Sequence, residues 1–252
     1  MVQGGKCGSF ALGVEARFCV EQWMACGLGL ESREQWLAWA RGLAVTPETG
    51  SSMTLPPLLR RRVTAMGQMA LRASFDLSAR PARFIFCSRH GEFQRTLNIL
   101  LALAANEGVS PADFSLSVHN ALAGLLSIAR RNMAGHTTIA AGADSFRSGL
   151  IEATACLMER ADEPVLLVYT DESLPEPYSE ICEGDETCVA LALLLTAPRP
   201  GHDHILLDLT TKRPKDLPES ATGQAVAFLR FLLGSTGDQR LTDASAQSWR
   251  HA

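Results

Sequence analysis

From residue 83 onward the sequence alternates short apolar runs with longer amphipathic ones, and this rhythm constrains the fold more than any single motif. Residues 83–88 (RFIFCS) read as a buried strand, 92–106 as a helix, and 113–118 as a short strand entering a helix that runs through Ala129. Residues 137–141 follow as a strand, 148–159 as a helix and 165–169 as a strand. Strands separated by helices lie parallel, with the helices covering both faces. Two more apolar runs, 187–195 and 204–209, flank Ala-Pro-Arg-Pro-Gly, which cannot continue a central ladder and so predicts an antiparallel hairpin. The expectation is an α/β fold of three layers, α/β/α, with a mixed sheet.

The first third is less regular. Residues 9–17 (SFALGVEAR) alternate polar and apolar around Gly13, which predicts a strand near one edge of the core, followed by a helical stretch. Trp36, Leu37, Trp39 and Leu43 recur at helical spacing within 31–43, and 46–57 read as a loop. Pro56-Pro57 then opens a helix over 58–75 whose stripe is Leu59, Val63, Met66 and Met69 or Ala70. Arg60, Arg61 and Arg62 fall in its first turns, where cations oppose the helix dipole. A late helix over 223–233 precedes a polar tail.

With 252 residues, 46% hydrophobic, the chain can bury one large core. A net charge of -4 gives no basic field for nucleic acid, and no apolar run approaches the roughly 20 residues that span a bilayer. The N-terminus carries no signal-like apolar stretch, so a cytoplasmic protein with reduced thiols is expected. The cysteines, at 7, 19, 26, 87, 156, 182 and 188, form no Cys-x-x-Cys pair and read as small buried hydrophobes. His202-Asp203-His204 would put two imidazoles on one side of an extended segment, yet neither a metal nor a cofactor is expected. Gly-x-Ser-x-Gly, phosphate-loop and His-Glu-x-x-His motifs are missing from the sequence.

The informative stretch is 110–144, SPADFSLSVHNALAGLLSIARRNMAGHTTIAAGAD. It resembles the N-terminal region of the β-ketoacyl synthases, in which a strand delivers a nucleophilic cysteine to the start of a buried helix and the next strand ends in Ala-Gly-Gly-Ala-Glu. Here that ending is Ala140-Ala141-Gly142-Ala143-Asp144. Pro57-Leu58-Leu59-Arg60-Arg61-Arg62, Phe86-Cys87-Ser88-Arg89-His90-Gly91-Glu92 and Asp185-Glu186-Thr187-Cys188-Val189-Ala190-Leu191-Ala192-Leu193 agree with it. Together they resemble the short chain-length-factor proteins of aryl polyene and related type II polyketide clusters. The resemblance implies a thiolase-like fold, as a single half. It further implies a synthase-like domain over 1–198, with 199–252 adding a hairpin strand, a helix and a polar tail to that domain.

A condensing enzyme needs a thiol where the helix dipole and backbone amides lower its pKa and hold the oxyanion. No cysteine lies between Cys87 and Cys156. Counting back from Asp144 puts Leu116 at the nucleophile position, while alignment on the helix start favours His119 or Asn120. The synthases' second half, with two catalytic histidines, is not expected either, because about 56 residues follow Thr196. The resemblance thus implies no catalysis by the chain alone. It implies instead a noncatalytic partner of an active ketosynthase in fatty-acid-like or polyketide elongation on acyl carrier protein.

The expected partner interface is Phe114, Val118, Ala121, Ala123 and Gly124, and the expected carrier-protein contacts are Arg60, Arg61, Arg62, Arg89 and Arg95. The alternative is a stand-alone acyltransferase or thioesterase-like enzyme using Cys87, with His90 close by in sequence, or His119.

Overall fold

One long strand changes its inward-facing parity part-way along. The computed structural model describes residues 15–46, 55–75, 77, 80–181, 188–208, 220–234 and 249–251. The expected strand residues 9–14, most of the 46–57 loop and most of the polar tail lie outside them. Within Glu15–Gly27 (β1), Phe18 faces one core, and so do Trp23 and Ala25. An even position before the register shift at Val20/Gln22 and odd positions after it share a face, as a bulge requires. The helical stretch expected beyond residue 17 is therefore strand: a broken period of two hides an otherwise ordinary sheet pattern.

Arg33–Ala40 (α1) starts at a capping box in which Ser32 and Gln35 satisfy each other's backbone groups. The single helix expected over 58–75 is two, Pro57–Arg60 (α2) and Ala65–Ser74 (α3). Thr64 breaks it, because its hydroxyl accepts from the Gly67 amide as an N-cap while its own backbone is extended. Arg83–Cys87 (β2) and Phe93–Ala104 (α4) follow, close to expectation.

The strand expected at 113–118 is a helix, Pro111–Leu116 (α5). Ser110 caps it by accepting from the Asp113 amide, and Pro111 occupies the first turn. Ala121–Arg130 (α6), His136–Ile139 (β3), Ser145–Glu159 (α7), Val165–Asp171 (β4), Val189–Thr196 (β5), Ile205–Asp208 (β6), Ala221–Gly234 (α8) and Trp249–His251 (β7) complete the order.

The seven strands of the described residues form one mixed sheet in the order β3-β2-β4-β5-β1-β6-β7. β2 pairs in parallel with β3 and β4, and the remaining pairings are antiparallel. β5 and β6 do not form the expected hairpin: β1 lies between them, pairing with β5 through residues 19–27 and with β6 through 15–18. The Pro-rich linker therefore crosses β1 instead of turning tightly.

Alternate residues of the central strands feed two cores. Val165, Leu167 and Tyr169 pack with Phe146, Leu150 and Phe228 on the α7/α8 face. Leu166 and Val168 pack with Met66, Leu71, Leu122 and Leu126 on the α3/α6 face. Burial of a Leu or Phe on either face is worth about 1.5–3 kcal/mol. The result is the expected three-layer α/β/α thiolase-like fold. Among the described residues no helix is long and apolar enough to cross a membrane.

Candidate functional site

The carboxyl-terminal ends of parallel strands β2 and β4 lie side by side, a place where α/β folds gather functional groups. β4 ends in Asp171, which is 2% exposed. Its carboxylate accepts from the Ser88 hydroxyl at 3.0 Å, the Arg89 amide at 2.7 Å, the His90 amide at 3.2 Å and the Tyr169 hydroxyl at 3.1 Å. The Tyr169 and Thr222 hydroxyls are 2.8 Å apart, which ties the start of α8 to the hub. Gln224 adds a tie by donating to the Ala143 carbonyl and the Asp144 carboxylate, each at 2.9 Å. Burial, then the Asp171 charge, pushes the Tyr169 hydroxyl far up. This arrangement fixes the loop after β2 and keeps its tyrosine protonated.

Ser88 also accepts from the Gly91 amide at 2.7 Å, closing a tight turn in which Gly91 has φ +61°. The His119 ring lies on that turn, and a β-carbon at Gly91 would stand 2.7 Å from His119 Nδ1. His119 Nε2 is 3.3 Å from the Ile139 carbonyl at the end of β3. A carbonyl only accepts, so that nitrogen carries the hydrogen. Asn120 is the N-cap residue of α6 and is exposed, while Leu116 ends α5 half-buried. Of the three residues expected at the lost nucleophile position, the structure thus brings His119 into the cleft.

That cleft is lined by Met66, Phe86, Ser88, Glu92, His119 and Thr170, among others. Its free volume is about 10 Å³, the room of one water-sized sphere.

Cys87 does not suit the nucleophile of the alternative reading. It is 1% exposed, its thiol donates to the Val168 carbonyl at 3.6 Å, and α7 packs so tightly on it that a β-carbon at Gly149 would come within 2.6 Å of its sulfur. Burial, then the Asp171 charge, raises its pKa well above the ordinary thiol value. Burial likewise pushes Cys26 up to about 12 and Cys188 up to about 11. An activated thiol needs the opposite shift.

Beside the cleft, Glu92 accepts from the Thr64 hydroxyl at 2.9 Å and from Arg95 Nε at 3.0 Å. Arg95 also pairs with Asp113 at 2.7 Å and donates to the Arg62 carbonyl at 2.6 Å. Its side chain is 12% exposed, so Arg95 belongs to the protein's own framework and not to the carrier-facing surface expected of it. Arg60, Arg61 and Arg62 are exposed and Arg89 half-buried. Of the expected interface residues, Phe114 and Val118 are 67% and 51% exposed, and Ala121 and Gly124 half-buried. Ala123 is fully buried in the α3/α6 core and presents nothing outward, which corrects the expectation for it.

Sequence reasoning missed the hub on Asp171 and the Glu92–Arg95–Asp113 chain. An acid closing the apolar run VLLVYTD was the available signal for the first, but its partners lie elsewhere in the sequence.

Residues 36–251 match the family described as beta-ketoacyl synthase, N-terminal domain. The chain belongs to this family. Among solved structures, this beta-ketoacyl synthase-type chain is similar to one in the complex of a ketosynthase (ApeO) with its chain length factor (ApeC) from Xenorhabdus doucetiae. The two share 28% identity over 86% of this chain and 91% of that one, at a TM-score of 0.68. It is also similar in fold to a chain of the ishigamide ketosynthase/chain length factor, at 16% identity over 75% of this chain and 65% of that one, with a TM-score of 0.60. No functionally curated protein matches.

Proposed function

We propose that this chain is a noncatalytic, chain-length-factor-like subunit that pairs with an active β-ketoacyl synthase. The pair would elongate fatty-acid-like or polyketide chains, aryl polyenes among them, on acyl carrier protein. The observation that carries the reading is the approach to α6. That approach carries Leu116, His119 and Asn120 and no cysteine, and the nearby thiol of Cys87 is buried and pushed away from ionisation. The water-sized cleft supports the same conclusion.

Pairing is supported by a sheet edge that is unpaired among the described residues and by exposed apolar side chains on α4, on α5 and just after it. β3 is an edge strand. Leu100, Leu101 and Leu103 of α4 are 43%, 58% and 59% exposed, and Phe114 and Val118 are more than half exposed. Exposed patches of this kind mark association surfaces, and free strand edges invite pairing. The 28% identical relative occurs in a ketosynthase–chain length factor assembly. Exposed Arg60, Arg61 and Arg62 supply cations for steering an acidic carrier protein.

Co-expression with the source organism's ketosynthase, followed by size-exclusion chromatography, tests the reading. Co-elution in equal amounts is expected. A chain that is folded alone and elutes apart from the ketosynthase contradicts it.

A further inference from the structure

We infer that Arg95 and Asp113 are positioning residues for pairing: their ion pair sets the angle of α5, and with it the Phe114 ring, for reception by the ketosynthase partner. This rests on the pairing reading above. α5 has six residues and none is buried, so the core that fixes the other layers contributes little to it. Leu116 packs only at the margin of the α3/α6 core. What ties its first turn is Asp113, whose carboxylate meets Arg95 at 2.7 Å.

Arg95 is itself rigidly held. Its guanidinium reaches Glu92 at 3.0 Å and the Arg62 carbonyl at 2.6 Å, and Glu92 takes the Thr64 hydroxyl at 2.9 Å. One planar fork therefore fixes α5 against the start of α4 and the segment before α3, a geometry that the point charge of lysine does not reproduce. The same segment carries Arg61 and Arg62, so the orientation of α5 is referred to the body of the fold and not to α4 alone.

The next residue, Phe114, is 67% exposed. A ring so exposed on a helix without buried residues adds little to the stability of the lone chain. Aromatic side chains presented this way are the common anchors of protein interfaces. Val118 at 51% and Leu101 and Leu103 at 58% and 59% are also exposed, on segments neighbouring α5. Holding the ring in place before encounter lowers the ordering cost of association. The ketosynthase is the partner this surface fits, because a 28% identical chain sits in such a pair; a second copy of this chain is the competing outcome.

The test measures the affinity of the full chain for the source organism's ketosynthase with Asp113→Asn, Phe114→Ala and the double variant, alongside urea unfolding of each lone chain. Asp113→Asn is expected to weaken pairing about tenfold, because the released helix and its ring must then be ordered at encounter. In the Phe114→Ala background it should cost nothing further, since the ring it positions is gone. Asp113→Glu should recover most of the affinity and Arg95→Lys should not, and this contrast stands even if Asp113→Asn unfolds the chain. An equal loss from Asp113→Asn with and without Phe114 overturns the inference, and so does undiminished pairing of Asp113→Asn. Loss of self-association alone, with ketosynthase pairing intact, overturns it in favour of a homodimer contact. Failure of the unaltered chain to pair sinks the underlying reading instead.

Discussion

His119 lies over Gly91 so closely that a β-carbon on the glycine would stand 2.7 Å from its Nδ1. The contact joins the approach to α6 with the turn after β2. Gly91→Ala adds a left-handed backbone penalty of about 1–3 kcal/mol to that clash. Urea unfolding should show the full loss in Gly91→Ala and a partial recovery in Gly91→Ala/His119→Ala, because removing the ring relieves the clash but not the backbone strain.

Thiol labelling separates Cys87 from an active nucleophile. Its burial and raised pKa predict that an alkylating reagent leaves it unmodified in the folded chain and modifies it after unfolding, as read by peptide mass mapping. Fast labelling of the folded protein at Cys87 would show that the thiol opens to solvent and would revive the acyl-transfer alternative.

Glu172 predicts a pH dependence. Burial first, then the Glu92 and Asp171 charges, raises its carboxyl above the ordinary value of 4.5. Between that value and the raised one the unfolded chain has released a proton that the folded chain keeps. The stability that Glu172 contributes is therefore full below 4.5 and is lost as pH rises through the raised value. In Glu172→Gln the fall of Tm with rising pH across this window should be shallower. A steeper fall would mean that the carboxylate form is the one the fold prefers.

Leu101 on α4 is 58% exposed, so Leu101→Glu should change the unfolding free energy of the lone chain by no more than about 0.5 kcal/mol. At the proposed interface the same charge would be desolvated without a partner, and pairing should weaken at least about tenfold. Titration against the ketosynthase, compared with urea unfolding, reads the two effects separately.

Reversing Arg60, Arg61 and Arg62 together to Glu should weaken acyl-carrier-protein binding at low salt, and the difference from the unaltered chain should shrink as salt screens it. Unchanged low-salt binding would remove these arginines from the carrier surface.

The parts of the fold that were legible in the sequence are those whose pattern is local and uninterrupted. β2, β4 and β5 are near-continuous apolar runs, as strands buried on both faces must be, and the amphipathic helices α4 and α7 announce themselves by spacing. β1 was obscured because its bulge exchanges even for odd inward positions. In α5 the run Phe114-Ser115-Leu116-Ser117-Val118 alternates like a strand, and the helix signal lies instead in Ser110-Pro111. The false hairpin has a different cause: nothing local in β5 or β6 records that β1, from far earlier in the chain, enters between them.

The candidate site divides the same way. A missing cysteine can be read from the sequence alone. That Asp171 collects Ser88, Arg89, His90 and Tyr169, and reaches Thr222 through Tyr169, depends on tertiary placement. So does the difference between Ala123, sealed in the core, and Phe114, nine residues earlier and facing out.

In the proposed role this chain pairs with a condensing enzyme without taking the acyl group itself. Intact-mass analysis of the co-purified pair after incubation with an acylated carrier protein tests it most directly. An acyl increment on the ketosynthase and an unchanged mass for this chain are expected; a persistent acyl adduct on this chain would overturn the noncatalytic role.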